Sequence, residues 1–175
     1  RRCLEIVLRN ARQEARIIED LLDASCIVAG KFAVELQPVA LAGVVNEAME
    51  SCRPAAQEKG VVITCRLAAG PVIRADRKRM LQVLHNLIGN AIKFTPPGGW
   101  IRVSLESMEG RARIVVADSG VGIDKAALGH IFERFWQAGE RTSTSYAGLG
   151  LGLPIVSHIV ALHGGRIAAQ SAGPG

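Results

Sequence analysis

The sequence predicts an α+β protein, a two-layer α/β sandwich with its helices on one face, preceded by a long N-terminal helix. Three observations carry this. Apolar and small residues in the first 28 positions recur at heptad spacing. Two later stretches, 61–75 and 100–118, read as paired runs of strand length separated by turn residues. The helical segments between them are spaced too irregularly for a doubly wound parallel sheet.

Leu4, Leu8, Ala11, Ala15, Ile18, Leu22 and Ser25 follow one another in steps of 4 and 3, while Arg9, Arg12, Glu14, Arg16, Glu19 and Asp20 fill the other faces. Such a helix can lie on a globular core or join a dimeric bundle, and the unbroken seam favours the bundle. Gly30 stops it. FAVELQPV, 32–39, reads as a strand. LAGVVNEAMESCRPAAQEKG, 41–60, reads as a helix with a kink possible at Pro54. VVITCRL, 61–67, alternates as a strand, AAGP turns, and VIRA, 72–75, is a short strand. Asp76 is a fitting N-cap for RKRMLQVLHNLIGNAIKF, which TPPGG terminates. WIRVSLES and RARIVVAD, joined by MEG, form a hairpin pattern. A glycine-rich turn, a short helix near 124–129, HIFERFW and the polar loop AGERTSTSYAG follow, and then GLGLGL, a helix to His163, and GGRIAAQS as a last strand.

With 175 residues, 49% hydrophobic and 21% charged, the chain has the composition of a globular domain. No apolar run approaches the ~20 residues of a membrane span. A cytoplasmic segment without membrane contact is expected, whether or not a parent protein is anchored. Cys3, Cys26, Cys52 and Cys65 form no CxxC pair and read as small apolar residues in a reducing compartment. Net charge is +5, but only 4% of residues are aromatic, which leaves little for base stacking and argues against nucleic acid. A mildly basic surface suits a nucleoside triphosphate equally well.

Three motifs can carry chemistry. Asn86, Asn90 and Lys93 fall at i, i+4 and i+7 on one face of an otherwise apolar helix. They are a solvated stripe or a ligand face, in which an amide oxygen meets Mg²⁺ and an ammonium meets phosphate. DSGVG, 118–122, places a carboxylate at a strand end inside a glycine bend. It is a capped turn or a carboxylate accepting from an amino group beside a flat ring. GLGLGL, 148–153, alternates like a strand, yet three glycines would make a weak one. Before a helix they are a plain hinge or a phosphate approach to free N–H groups. GxxxxGK[ST] is absent, so this is not a P-loop.

The order of these motifs within residues 86–153 resembles the sensor histidine kinases of two-component signalling, and more broadly the ATP-binding fold shared with DNA gyrase and mismatch-repair ATPases. HNLIGNAIKFT resembles that family's N box, DSGVG its first glycine box, FERF its F box and GLGLGL its second. The resemblance implies ATP and Mg²⁺ as cofactors. It implies that Asn90 binds Mg²⁺, that Asn86 stands beside the phosphates, and that Lys93 contacts them, with Asn86 and Lys93 the catalytic pair. Asp118 would bind the adenine amino group, with Gly120 and Gly122 shaping the pocket. Phe132 and Phe135 would anchor the lid, 137–147. Gly148, Leu149, Gly150 and Gly152 would lie at the triphosphate, the leucines packing beneath. Arg134 and Arg141 are weaker phosphate candidates.

RNARQEARIIEDLLDASCIVAGK similarly resembles the second helix of a dimerisation hairpin. The implied division is 1–30 for that partial hairpin and 31–175 for the catalytic domain, with its last strand truncated. The implied partners are a second copy of the chain and a response-regulator receiver domain. His85, His130, His158 and His163 do not match the phosphate acceptor, so the acceptor is expected outside this chain, which alone would not autophosphorylate. A glutamate at position 86 would mark a gyrase-like ATPase, and a chain lacking the long helix an anti-sigma-factor kinase. The alternative of a different class is a non-catalytic dimerisation or interaction module that keeps the fold.

Overall fold

The computed structural model describes residues 2–68, 72–108, 111–137 and 149–173. In chain order these form α1 (Arg2–Val28), β1 (Gln37–Ala40), α2 (Leu41–Glu58), β2 (Val62–Leu67), β3 (Val72–Ala75), α3 (Arg77–Phe94), β4 (Trp100–Met108), β5 (Arg111–Asp118), α4 (Lys125–Leu128) and α5 (Gly152–Leu162). The α+β sandwich is as expected. Helix α3 is central to the helical layer, packing against α2 and α5 and touching β4 and β5.

Strand alternation builds the floor of the core. Ile101, Val103 and Leu105 of β4 are buried, while Arg102 and Glu106 between and beyond them face water. Onto that floor α2 lays Leu41, Val44, Val45, Ala48 and Met49, α3 lays Val83, Leu84 and Ile88, and α5 lays Ile155, Val156 and Ile159. Each set follows helical spacing.

The sheets are less regular than the hairpin pattern implied. Antiparallel β1 and β3 make one pair, and β2, β4 and β5 make a second sheet in that order. β2 runs parallel to β4, from Val62 opposite Trp100 to Leu67 opposite Leu105. β2 and β3, neighbours in sequence, therefore lie in different sheets; AAGP falls largely outside the described residues. β4 and β5 pair antiparallel as predicted. The strand expected at 32–39 shrinks to Gln37–Ala40, because Phe32 and Val34 turn into the core instead of pairing. GGRIAAQS is not a strand; Ile167 packs on the core, and Ser171 Oγ accepts from Ile123 N at 2.9 Å. Helix α2 continues through Pro54 to Glu58.

The start of α3 is tightly held. Asp76 caps it, with Oδ1 accepting from Arg79 N at 3.1 Å and Oδ2 from Glu35 N at 3.1 Å. Asp76 N donates to His163 Nε2 at 2.9 Å, so His163 carries its proton on Nδ1, which faces Ile159 O at 2.7 Å. Arg77 pairs with Glu47. Arg79 reaches α1, donating to Asp23 at 2.9 Å, and its guanidinium stands 4.2 Å over the Phe32 ring.

Helix α1 meets the core through Ala24 and Ile27. The heptad seam is on a different face: Ala11, Ala15, Ile18, Leu22 and Ser25 are all exposed, Ile18 by 57% and Leu22 by 61%. The side chains of Leu4 and Leu8 lie outside the described set. The cysteines depart from expectation. Cys26 and Cys65 are exposed, on helix and strand faces turned away from the core, whereas half-buried Cys52 packs against it. No described helix is long and apolar enough to cross a membrane.

Candidate nucleotide-binding site

The polar stripe of α3 survives folding as a half-buried face. Asn86 Nδ2 donates weakly to Gln82 O at 3.3 Å. Its Oδ1 lies 2.6 Å from where a Cβ on Gly152 would stand, so the stripe abuts the first residue of α5, and a larger residue there would have to push the Asn86 amide aside. Asn90 makes no side-chain hydrogen bond among the described residues. The Lys93 ammonium sits 4.8 Å from the Phe94 ring centroid, and burial pushes its pKa below the ordinary lysine range.

The DSGVG loop meets the end of the same helix. Asp118 closes β5 with its side chain exposed, and Oδ1 accepts from Gly120 N at 2.8 Å. Val121 N donates to Phe94 O at 3.2 Å. A Cβ on Gly120 would come within 2.6 Å of Asp118 Oδ1 and 2.8 Å of Phe94 O. Gly122 has φ +71°, and a Cβ there would lie 2.1 Å from Gly173 O. The carboxylate is thus held inside a bend of bare backbone, one edge of it tied to α3.

GLGLGL is no strand. Gly150 has φ +68°, and a Cβ there would meet Trp136 O at 2.7 Å. Leu151 is buried, Gly152 opens α5 and Leu153 is half-buried. Leu149 is exposed, contrary to the expectation that the leucines pack beneath. Its neighbour Gly150 turns the chain so that residue 149 faces outward. Gly148 lies outside the described residues, as do Arg141 and all of the lid except Gln137.

The two phenylalanines divide. Phe135 is 66% exposed with φ 62°, an uncommon conformation for an aromatic residue, and its N–H donates to Gly150 O at 3.1 Å. Phe132 instead lines a cavity of about 200 Å³ with Ala24 and Ile27 of α1 and Leu151, Pro154 and Ile155. The structure brings it to the contact between α1 and α5, not to the polar stripe. Arg134 lines the same cavity.

Two features escaped the sequence reading. Thr95 Oγ1 is buried without a hydrogen-bond partner among the described residues. Lys59, at the end of α2, donates from Nζ to Ile92 O at 2.7 Å and to Lys93 O at 2.6 Å. The only sequence signal for the second was a lysine at a helix end, which points at its own carbonyls as readily as at another helix.

The family model for the histidine kinase-, DNA gyrase B-, and HSP90-like ATPase matches residues 75–175. The chain belongs to this family. It is 37% identical over 163 residues to the sensor protein DivL of Caulobacter vibrioides, covering 92% of this chain and 20% of that protein. It is 37% identical over 161 residues to the autoinducer 2 sensor kinase/phosphatase LuxQ of Vibrio cholerae, covering 89% of this chain and 19% of that one. The chain therefore spans about a fifth of the length of these relatives. The crystal structure of full-length ShkA in complex with AMPPNP aligns with TM-score 0.77 and 32% identity, over 97% of this chain and 36% of that one. Within the family, the chain is of the sensor histidine kinase type and carries the ATP-binding catalytic module.

Proposed function

We propose that this module binds ATP with Mg²⁺ and transfers the γ-phosphoryl group to a histidine outside the chain, for relay to a receiver-domain aspartate. The observation that carries the reading is a convergence. A sparsely bonded polar stripe on α3, in which Asn90 has no side-chain hydrogen bond among the described residues, lies on the helix that meets two glycine-lined turns, one holding the Asp118 carboxylate and the other opening α5. Exposed Asp118 would accept from the adenine amino group, with Gly120 and Gly122 letting the ring approach. Lys93 would meet phosphate, and Asn86 and the glycines before α5 would bring amide and backbone groups to the triphosphate. The uncommitted Asn90 oxygen fits one hard-cation position, with phosphate oxygens and water filling the rest. Mg²⁺ would supply charge neutralisation on the phosphates.

Phosphoryl transfer passes through a loose transition state, so the protein's contribution is placement and charge. The acceptor imidazole nitrogen forms the new bond to phosphorus as the bond to ADP breaks. The exposed seam of α1 supports pairing with a second copy in a helical bundle. The division at residue 30 is supported by β1, which pairs with β3, and by α2, which packs on α3. Phe32 and Val34, which turn into the same core, support counting everything from residue 31 onward in the catalytic unit.

The test is calorimetric titration with ATP and Mg²⁺, on this chain and on Asp118→Ala. Saturable binding that the substitution abolishes is expected. A folded wild type that binds no ATP would favour a non-catalytic interaction module, whose chief asset would be the apolar face of α1.

A further inference from the structure

We infer that Lys59 is a positioning residue for the nucleotide site, setting the last turn of α3 that joins the phosphate side to the adenine side. The inference rests on the ATP reading above and adds a residue to it.

An α-helix leaves its last four carbonyls without intrahelical donors. The usual remedy is for the chain that follows to fold back and donate its own N–H groups. Here that remedy is blocked. Thr95 leaves the helix with ψ 124°, and the next two residues, Pro96 and Pro97, have no N–H. Thr95 N reaches Ala91 O at 3.0 Å, and the following chain closes no other carbonyl of the four.

The other three are closed from elsewhere. Lys59 Nζ takes Ile92 O and Lys93 O, at 2.7 and 2.6 Å. Val121 N, from the loop that follows Asp118, takes Phe94 O at 3.2 Å. Three successive carbonyls are thus held by one ammonium and by the adenine-side loop itself. The first two belong to the turn that carries Lys93. The third is the hinge point of the DSGVG loop.

Lys59 is itself well anchored. Its N–H donates to Ala55 O at 3.2 Å, Gly60 N donates to Gln57 O at 3.0 Å, and Gly60 O accepts from Gly98 N at 2.8 Å. The turn after α2 is therefore stitched to the turn after α3 through Gly60 O and Gly98 N, beside the two bonds of the ammonium itself. A cation is favoured at this position by the helix dipole as well as by the two carbonyls. Removing it leaves two half-buried carbonyls open and frees the turn on which Lys93 and Phe94 O depend.

The experiment measures ATP·Mg²⁺ affinity by calorimetry, with the melting transition followed by circular dichroism, for wild type, Lys59→Met and Lys59→Arg. Lys59→Met is expected to weaken ATP about tenfold while the chain stays folded, the range found when supporting residues around a bound group are removed. Lys59→Arg keeps the charge and can serve both carbonyls, so it is expected to restore most of the affinity. If Lys59→Met does not fold, Lys59→Gln replaces it, with the same expectation of weaker ATP in a folded chain. A folded Lys59→Met or Lys59→Gln with wild-type affinity overturns the inference, because a simple structural cap would shift only the melt. So does a Lys59→Arg as weak as Lys59→Met. A wild type that binds no ATP overturns the nucleotide reading and this inference with it, whereas an ATP-binding wild type with an indifferent Lys59→Met overturns this inference alone.

Discussion

The two ends of α3 treat their polar residues in opposite ways. At the first turns Asp76, Arg77, Arg79 and Gln82 are all engaged inside the chain. Asp76 accepts from Glu35 and Arg79, Arg79 donates to Asp23, and Gln82 Nε2 donates to the same Asp23 carboxylate at 2.7 Å. Toward the last turns, Asn86 has one weak bond, Lys93 rests against a ring, and Asn90 has no bond among the described residues. Both ends belong to one helix with one apolar face. The difference therefore cannot come from helix propensity or from burial of the helix as a whole. It separates polar groups that hold the fold from polar groups the fold leaves largely unused, and on the proposed function the two ends should respond to mutation in different observables.

The sharpest contrast is at Asn90. Asn90→Ala is expected to lower Mg²⁺-dependent ATP affinity about 100-fold and leave the thermal midpoint essentially unchanged. A large drop in midpoint would show that Asn90 serves the fold after all, and the contrast would fail. Asp23→Ala should do the reverse. The Asp23–Arg79 pair is largely buried, with side chains 14% and 22% exposed, so removing one partner strands the other. A loss of about 2 kcal/mol is expected in denaturant unfolding, with ATP affinity unaltered. An affinity change there would mean that the contact with α1 reaches the site.

Asp76→Ala should cost about 1 kcal/mol, as for other N-caps. Burial alone would raise the Asp76 pKa, but the amides of Glu35, Arg79 and Lys78 and the charge of Arg79 outweigh it and hold the carboxyl below its usual range. Its stabilisation is therefore complete above the unfolded aspartate pKa and is lost as pH falls through the lower folded value. Acid titration of stability should show this in wild type and not in Asp76→Ala.

The smallest effect concerns Lys93, whose pKa burial lowers. Between its folded and unfolded values the unfolded chain binds more protons, so stability rises slightly with pH through that window. ATP favours the charged form, so affinity should fall several-fold as pH rises through the lowered pKa. Lys93→Met should bind more weakly and lose that pH dependence. Parallel profiles for the two proteins would remove Lys93 from the phosphate site.

Features of this helix show why some of the molecule was legible in sequence and some was not. The Asp76 cap, the span of α3 and the β4–β5 hairpin are local signals, readable from neighbours in the chain. So was the stripe Asn86, Asn90, Lys93, because helical spacing places it. The parallel pairing of β2 with β4 was not legible, since its partners are set by packing rather than by the intervening turn. Gly120, Gly122, Gly150 and Gly152 were legible as glycines, but what a Cβ would strike at each is a matter of tertiary contact. Phe132 was legible as a motif residue, but its place in a cavity between α1 and α5 is set by tertiary packing. Lys59, Asp23 and the buried Thr95 hydroxyl act or lie buried through residues far along the chain, which no periodicity reveals.

The parallel pair β2–β4 also orders events in time. The β4–β5 hairpin can close locally, but β2 cannot join β4 until the chain between them, α3 included, has folded back. Closing such a separated parallel contact is slow. The stripe on α3 and the loop after β5 meet through Val121 N and Phe94 O, a contact that exists only once the helix has docked on the sheet. ATP then has nothing complete to hold before the rate-limiting step is past. It would act on escape from the native state, slowing unfolding while leaving the refolding rate where it was.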